Sequence, residues 1–560
     1  MKKWDVGQVF GVDDTFLPAD FIASLLRFRG LKSQKEIDAF LTPPNPITLS
    51  AKDVGIDGKQ LSIAVKRIVK AIQKKESIVV YADYDADGIT AGAVMWETLW
   101  ELGARVMPYI PHRVDEGYGL SEKGIDAVHA QFDPTLIITV DHGITACEKV
   151  DYAKKLGIEV IISDHHVKPE KIPDTTIVHT TQLAGSGVSW FLAKEVFTAM
   201  KAVDKGQMHE LLALTTIGTI ADLVPLVGPN RSIVKFGLVA LSKTKRVGIR
   251  ALMSDAALDT QTITPYSVSH ALAPRLNAMG RIEHALDALR LLCTKQVDKA
   301  GVLATQLGLT NKQRQQMTED YTTHALNSLI ASRDAGTMKK LLFVYDESYN
   351  QGVIGLVAGR LVEQYYRPAI VLAVGSEFSK ASARSVAGFN IIEAIREAAD
   401  LLVDAGGHPM AAGFTVETKN LELLKVRMES LGEKALSIDI LTRKLRVDAE
   451  VPLSAATEEL WKAIQQLQPF GVGNPEPVLV SRNVIIKDVR LVGATKKHLK
   501  LSIVDRDTRK QYDGIGFSMA EYYAQLQSGT PVDIAYTVDM NEWNGSKKLQ
   551  FKVKDIQFPV

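Results

Sequence analysis

Cysteine is almost missing. The 560 residues hold two, Cys147 and Cys293, which excludes a disulfide framework and a CxxC metal pair. Long apolar runs are missing too: none reaches the length of a membrane span, and Met1-Lys2-Lys3-Trp4-Asp5 lacks the apolar core of a signal peptide. The expectation is a cytoplasmic protein with no membrane partner. An excess of either charge is also lacking, since 66 basic and 65 acidic residues leave a net charge of +1. Any nucleic-acid binding must therefore come from local basic patches. What is present is a globular composition, 46% hydrophobic and 23% charged, over a length that exceeds one core and predicts three or four domains.

One stretch organises the rest. The apolar run Ile78 to Val80 leads into Tyr81-Ala82-Asp83-Tyr84-Asp85-Ala86-Asp87-Gly88, with Thr90 opening a helical pattern. On an extended segment alternation sends Asp83, Asp85 and Asp87 to one side. Three carboxylates held that close repel unless a cation lies between them. A solvated acidic turn or a calcium loop is the alternative, but an EF-hand needs a Glu at loop position twelve, and that position is Val94.

Apolar strands then alternate with helical segments: Arg105 to Ile110, Leu136 to Val140, Val160 to Ser163 and Thr176 to Val178. This rhythm predicts an α/β fold, a parallel doubly wound sheet with its site at the carboxyl ends of the strands. Two polar clusters land there, Asp141-His142-Gly143 and Asp164-His165-His166. Alone, Asp141 reads as a helix N-cap and two adjacent histidines as surface groups. Three strand ends carrying carboxylate or imidazole are different, because an open sheet brings them into one crevice. A fourth element, Thr215 to Leu226, adds Asp222. Together these groups suffice for two divalent cations sharing a bridging carboxylate.

The order DYDADG, VDHG, SDHH and GTIADLVPL resembles the four motifs of the DHH phosphoesterase superfamily. Within it, the wording is similar to that of the bacterial exonucleases specific for single-stranded DNA. Ala273 to Arg281, Asn350 to Gly355, Gly406 to Gly413 and Pro469 to Pro477 extend the resemblance over nearly the whole chain. It implies Asp85, Asp87, Asp141, His165 and Asp222 as metal ligands, with Asp141 as the bridge. It implies that His166 faces the scissile phosphate, and that Asp83 and Asp164 orient the ligands, so His166, Asp141 and Asp83 form the catalytic group. Two positions depart from the wider pattern: Tyr81 stands where relatives often carry His, and His142 where related exonucleases commonly carry Cys. The first leaves one cation short of a protein ligand, so Asp83 or solvent completes its shell, and His142 is expected outside it. The donor set suits manganese or magnesium. Two such cations, about 3.5–4 Å apart, activate a water and stabilise the leaving oxygen.

The implied layout is an N-terminal extension over 1–50, a DHH domain over 51–245, a helical connector over 246–336, a DHHA1 domain over 337–436 and an OB-type domain over 437–560. In the first segment Pro43-Pro44-Asn45-Pro46 reads as a linker. Arg275, Asn277 and Arg281 cluster before a helix and suit phosphate oxygens, and the resemblance gives them the DNA backbone. Lys340 begins the second α/β unit. There Ser382, Arg384 and the loop Gly406-Gly407-His408 are expected to hold a terminal 5′-phosphate.

Past 440 the pattern turns to short alternating strands at 445–449, 484–486, 500–504, 532–536 and 550–553, which suits a five-stranded OB-type barrel. Lys496, Lys497, Lys500, Arg506, Arg509 and Lys510 surround them, interleaved with Tyr512, Phe517 and Trp543. Cations beside aromatic faces fit a single-strand groove, with Lys496, Lys497, Lys500 and Trp543 as the expected contacts.

The expected activity is a two-metal-ion 5′→3′ exonuclease that hydrolyses single-stranded DNA to nucleoside 5′-monophosphates in recombination and repair. The competing readings are a phosphodiesterase of short oligonucleotides or cyclic dinucleotides, and a catalytically silent replication scaffold. The resemblance also implies single-strand-binding protein and a RecQ-type helicase as partners of a monomer.

Overall fold

The computed structural model describes residues 2–10, 17–113, 115–331, 338–543 and 545–559, with the side chain of Trp543 excluded. The chain opens on a strand, β1 (Lys3–Val9), whose place in the fold is set by its far end. The first sheet is wholly parallel and comprises β2 (Ser77–Ala82), β3 (Arg105–Tyr109), β4 (Leu136–Val140), β5 (Glu159–Asp164) and β6 (Thr176–His179), in the order β3-β2-β4-β5-β6. Both faces are covered: Ile78 and Val80 enter one core while Val79 and Tyr81 enter another on the opposite side. That double burial explains the unbroken apolar strands. The strand order reverses between β2 and β4, and in an open α/β sheet ligands bind outside the carboxyl ends at such a point. Those two ends carry Asp83 to Asp87 and Asp141.

The helix Val297–Ala331 joins the first lobe to the second. Its start, with Ala300, Leu303 and Leu307, packs into the first core, and its end, with Ala325 and Leu329, packs into the second. A single helix of 35 residues, about 52 Å at 1.5 Å per residue, thus belongs to both hydrophobic cores. The second sheet is mixed: β7 (Leu342–Asp346), β8 (Ala369–Ala373), β9 (Phe378–Arg384), β10 (Leu402–His408) and β11 (Ala411–Glu417), in the order β10-β11-β9-β8-β7, with only β7 and β8 parallel.

The C-terminal sheet contains β12 (Lys444–Glu450), β13 (Leu479–Val492), β14 (His498–Val504), β15 (Gln511–Gly516), β16 (Pro531–Trp543) and β17 (Ser546–Gln557). Strands β13-β14-β15-β17-β16 close on themselves through the β13–β16 pairing and make a five-stranded barrel. Two sequence expectations change here. The barrel includes a strand at 511–516 that the alternation pattern does not mark, because Gly514 and Gly516 interrupt it, and the expected strand at 445–449 lies beside the barrel instead of within it. The N-terminal segment also proves to be no separate extension: β1 pairs in parallel with β12, and Phe21, Ile22, Leu25 and Leu26 fill the same core as the barrel.

Candidate metal centre and facing arginine pocket

At the end of β2 the carboxylates serve two helix N-termini. Asp85 caps the helix Ala86–Glu101, its Oδ1 accepting from Asp87 N and Gly88 N, both at 2.9 Å. Asn277 Oδ1 takes the preceding donor, Ala86 N, at 2.7 Å. Asp87 is buried and accepts from Gly185 N at 2.7 Å and Ser186 N at 3.0 Å, where the helix Gly185–Ala199 begins. Two helix dipoles therefore point their positive ends at this pair.

Asp141 follows β4 with φ 67°, a left-handed conformation that Asp tolerates better than most residues. Gly185 makes room for it, since a Cβ there would lie 2.2 Å from Asp141 Oδ1. Asp164 ends β5 and holds the histidine pair. Its Oδ2 accepts from Ile144 N at 2.9 Å, while its Oδ1 accepts from His165 N at 2.7 Å and lies 2.8 Å from His166 Nδ1. His166 Nε2 is thereby turned away from the sheet, 3.4 Å from the Tyr118 hydroxyl. His165 Nε2 lies 3.2 Å from Asp141 Oδ1 and 3.6 Å from Asp222 Oδ2.

The donor atoms form three groups, each within 4.8 Å: Asp83, Asp85 and Asp141; Asp87, His165 and Asp222; and Asp141, His165 and His166. Asp141 and His165 connect them, and Asp83 joins the cluster directly. Asp83 Oδ1, Asp141 Oδ1, His165 Nε2 and Asp222 Oδ2 are all buried without a hydrogen-bond partner. Orphaned acceptors packed this densely are costly unless a cation faces them, so these residues fit divalent metal. Electrostatics agree. Burial, then mutual repulsion, pushes Asp83 and Asp141 well above the carboxylate range, Asp87 up to about 6 and Asp222 up to about 8. A cation reverses that tendency. Burial and the His166 charge hold His165 down at about 4, leaving a neutral ring with a free lone pair. Burial also opposes charge on His166, but the hydrogen bond and charge of Asp164 win and raise it to about 9.

Beside the acids lies a cluster of opposite sign. Burial, then the charges of Arg113, Arg314 and Arg384, pushes Arg281 down to about 10, and Asp85 is near enough to oppose them. Among the described residues none of these four arginines has an ion-pair partner. The Arg113 guanidinium sits 5.0 Å from the centroid of the Tyr84 ring. Arg281 donates to Gly352 O at 3.0 Å, and Arg384 donates to Ser382 Oγ at 3.1 Å. A Cβ on Gly355 would lie 2.9 Å from Ser382 Oγ and 3.1 Å from the Arg384 guanidinium, so the first turn of the helix Ile354–Tyr365 abuts both. Guanidiniums without ion pairs, a hydroxyl and a helix N-terminus are groups that suit an anion. Register places Ser382, Gly413 and Gly406 in one cross-strand row, and Arg384, Ala411 and His408 in the row two residues on, which shares its face. Gly406 to His408 thus form the exposed edge beyond the pocket.

Several expected contacts fall elsewhere. Arg275 is committed to Asp255 Oδ2 at 2.9 Å and Ala271 O at 2.9 Å, so it braces its helix instead of offering itself to a phosphate. Asn277 turns its carbonyl to Ala86 N and positions the acidic loop. Tyr81 packs in the core against His142, whose Nε2 lies 3.0 Å from Tyr81 O. Neither reaches the donor cluster. Tyr512 is a core residue stacked on Phe551, whereas Phe517 is exposed beside His498. Lys496 and Lys497 are exposed on the β13–β14 turn and Lys500 lies on β14, while the side chain of Trp543 lies outside the described residues. Sequence pattern alone does not mark Gly185, Ser186, Arg113 or Gly218. A Cβ on Gly218 would lie 2.4 Å from Asp87 Oδ1. The Gly-Ser-Gly run at 185–187 was the available signal for the second helix N-terminus.

A parallel sheet with this donor cluster at its switch point, facing a second α/β lobe across an anion pocket, is the layout of a DHH-type phosphoesterase. The model described as "DHH family, N-terminal domain" matches residues 77–219, the DHHA1 domain model matches 338–432, and the RecJ OB domain model matches 447–555. The single-stranded-DNA-specific exonuclease RecJ of Bacillus subtilis (strain 168) is 37% identical over 99% of this chain and 70% of its own length. Its namesake from Escherichia coli (strain K12) is 31% identical over 97% of this chain and 98% of its own. The crystal structure of RecJ in complex with Mn2+ from Thermus thermophilus superposes with a TM-score of 0.81 at 27% identity, covering 100% of this chain and 80% of that one. The corresponding Mg2+ complex gives 0.76 at 26% identity over 100% and 79%. The chain belongs to the RecJ family of single-stranded-DNA-specific exonucleases.

Proposed function

We propose that this chain removes nucleoside 5′-monophosphates from the 5′ end of single-stranded DNA with the help of two divalent cations, Mn2+ or Mg2+. The observation that carries the reading is the nearness of two opposite clusters: buried, partnerless carboxylates and imidazole on one side, and guanidiniums without ion pairs on the other. Asp85, Asp87, Asp141, His165 and Asp222 are the residues that would hold the cations, with Asp141 shared by two of the donor groups and Asp83 beside them. Bound there, such cations supply an activated water and neutralise the charge that develops on phosphorus. The protein supplies the rest. Arg281, Arg384, Arg113 and Ser382 hold the terminal phosphate, with Gly406, Gly407 and His408 along the rim, so the backbone is engaged from its 5′ end. His166, oriented and kept charged by Asp164, points its Nε2 toward the substrate side and can give a proton or a hydrogen bond to a phosphoryl oxygen. The lysines of the β13–β14 hairpin are the proposed guide for the strand behind the cut.

The proposed units are the two catalytic lobes over 51–245 and 337–436, the helical connector between them, and the C-terminal barrel with the N-terminal strand added to it. The proposed setting is the cytoplasm, as a monomer working with single-strand-binding protein and a RecQ-type helicase. The test is digestion of a long 5′-labelled single strand with manganese. Labelled mononucleotide should appear first, and activity confined to di- to tetranucleotides would replace this reading with that of an oligonucleotide phosphodiesterase.

A further inference from the structure

Asp222 stands at the C-terminal end of the helix Lys205–Ala221, and the chain just beyond it is held first by its own lobe, where Asn230 Nδ2 donates to Pro225 O at 3.2 Å and Leu226 enters the first core. Leu223 follows in the left-handed region, φ 61°, yet is 62% exposed. A residue with a β-carbon is strained in that conformation and persists there only where its surroundings over-determine it. The exposed Leu223 side chain gains little packing to offset this, so the restraint must act further along.

It acts at Pro225 and Leu226, where a second hold comes from the C-terminal module. Leu226 N donates to Val472 O at 2.7 Å, and Leu226 is 3% exposed. A Cβ on Gly471 would lie 2.6 Å from Leu226 Cδ1, and one on Gly473, whose φ is 74°, would lie 2.9 Å from Pro225 Cβ. Both glycines are therefore places where the turn presses its backbone on the segment after Asp222. The turn is itself rigid. Gly471 and Asn474 exchange backbone hydrogen bonds, and Asn474 Nδ2 donates to Leu467 O and Pro469 O. Asn474 Oδ1 accepts from Arg29, which also pairs with Asp448. Arg231, from the first lobe, donates to Leu467 O and Gln468 O.

We infer that the turn Gly471–Asn474 of the C-terminal module is a positioning element of the metal centre, holding Asp222 in place through Pro225 and Leu226. The inference rests on the reading of Asp222 as a cation ligand. It makes the barrel module more than a handle for DNA, because its attachment sets the geometry of a ligand in another lobe.

The test uses the full chain, stripped of metal and titrated with Mn2+ in a calorimeter, with single-strand binding measured separately in chelator. Gly473→Ala and Gly471→Ala should each weaken Mn2+ binding about tenfold, the scale on which groups behind a ligand act, while DNA affinity in chelator stays within about twofold. Leu226→Val in the Gly471→Ala background should recover part of the loss by relieving the contact. Wild-type Mn2+ affinity in both glycine variants overturns the inference, and so does a parallel loss of DNA binding, which marks general displacement of the module. Asp222→Asn separates the two levels: if it weakens Mn2+ binding while the glycine variants do not, the ligand reading stands and only the positioning role fails. If Asp222→Asn binds Mn2+ normally, the ligand reading itself falls.

Discussion

Replacing Arg231 with Met sets two large effects against each other. Arg231 lies on the helix Gly228–Ser242, is 1% exposed, and has no carboxylate partner among the described residues. It donates to Phe40 O at 2.7 Å and to Leu467 O and Gln468 O at 2.8 Å, with its guanidinium 3.9 Å from the Phe40 ring centroid. Burial pulls its pKa from 12.5 to about 10, a desolvation cost of roughly 3 kcal/mol. Three short hydrogen bonds from a charged donor contribute about 1.5–3 kcal/mol each, so the bonds exceed the penalty. Arg231→Met keeps the apolar stem, recovers the desolvation cost and strands the carbonyls of Phe40 and Gln468, while Leu467 O keeps the Asn474 amide. The expected net loss is about 2–5 kcal/mol. It should fall on the junction that Arg231 spans, between the first lobe, the N-terminal segment and the C-terminal module. Urea unfolding read together with limited proteolysis at 43–46 and 466–474 measures it: the variant should show a lower midpoint and faster cleavage at both segments. An unchanged midpoint with unchanged cleavage would refute the reasoning. A stabilised variant would show that desolvation outweighs the bonds.

Three further outcomes are expected. Asp141→Ala should abolish cleavage of single-stranded DNA while leaving binding of the strand measurable in a filter or fluorescence assay, and retained turnover would remove Asp141 from the centre. Gly218→Ala drives a methyl group to 2.4 Å from Asp87 Oδ1 and 2.3 Å from Thr90 Oγ1. Overpacking of this kind costs about 1–3 kcal/mol, so a lowered thermal midpoint and weakened Mn2+ binding should appear together. Arg384→Ala removes one charged donor from the anion pocket, and its preference for 5′-phosphoryl over 5′-hydroxyl ends should fall roughly tenfold or more, as competition between the two oligonucleotides would show.

The acidic strand end, the two later strand ends and Asp222 were legible because each is a local pattern, an apolar run and then a ligand-type residue, at a strand end of the parallel sheet for the first three and at a helix end for Asp222. The two-lobed plan and the barrel were legible for the same reason, since periodicity reports which face of a short segment is buried. Arg275 shows where local reading fails. Its clustering with Arg281 looks the same in sequence, yet Asp255 claims one and leaves the other to the pocket. Arg113 and Gly185 carried no such mark, being ordinary residues made important only by what lies across from them.

What the amino-acid sequence determined by itself was chemistry and order: which residues can hold a cation, which strands are buried on both faces, and the succession of lobes along the chain. Tertiary structure alone decided which charges meet. It closed β1 (Lys3–Val9) onto a strand more than four hundred residues away, seated Asp87 between two helix N-termini, and braced the segment after Asp222 with a turn from another module. The reason is physical. Burial pattern and conformational preference act over a few residues and leave a record there, whereas desolvation, ion pairing and close backbone approach depend on distances that exist only after the chain has folded.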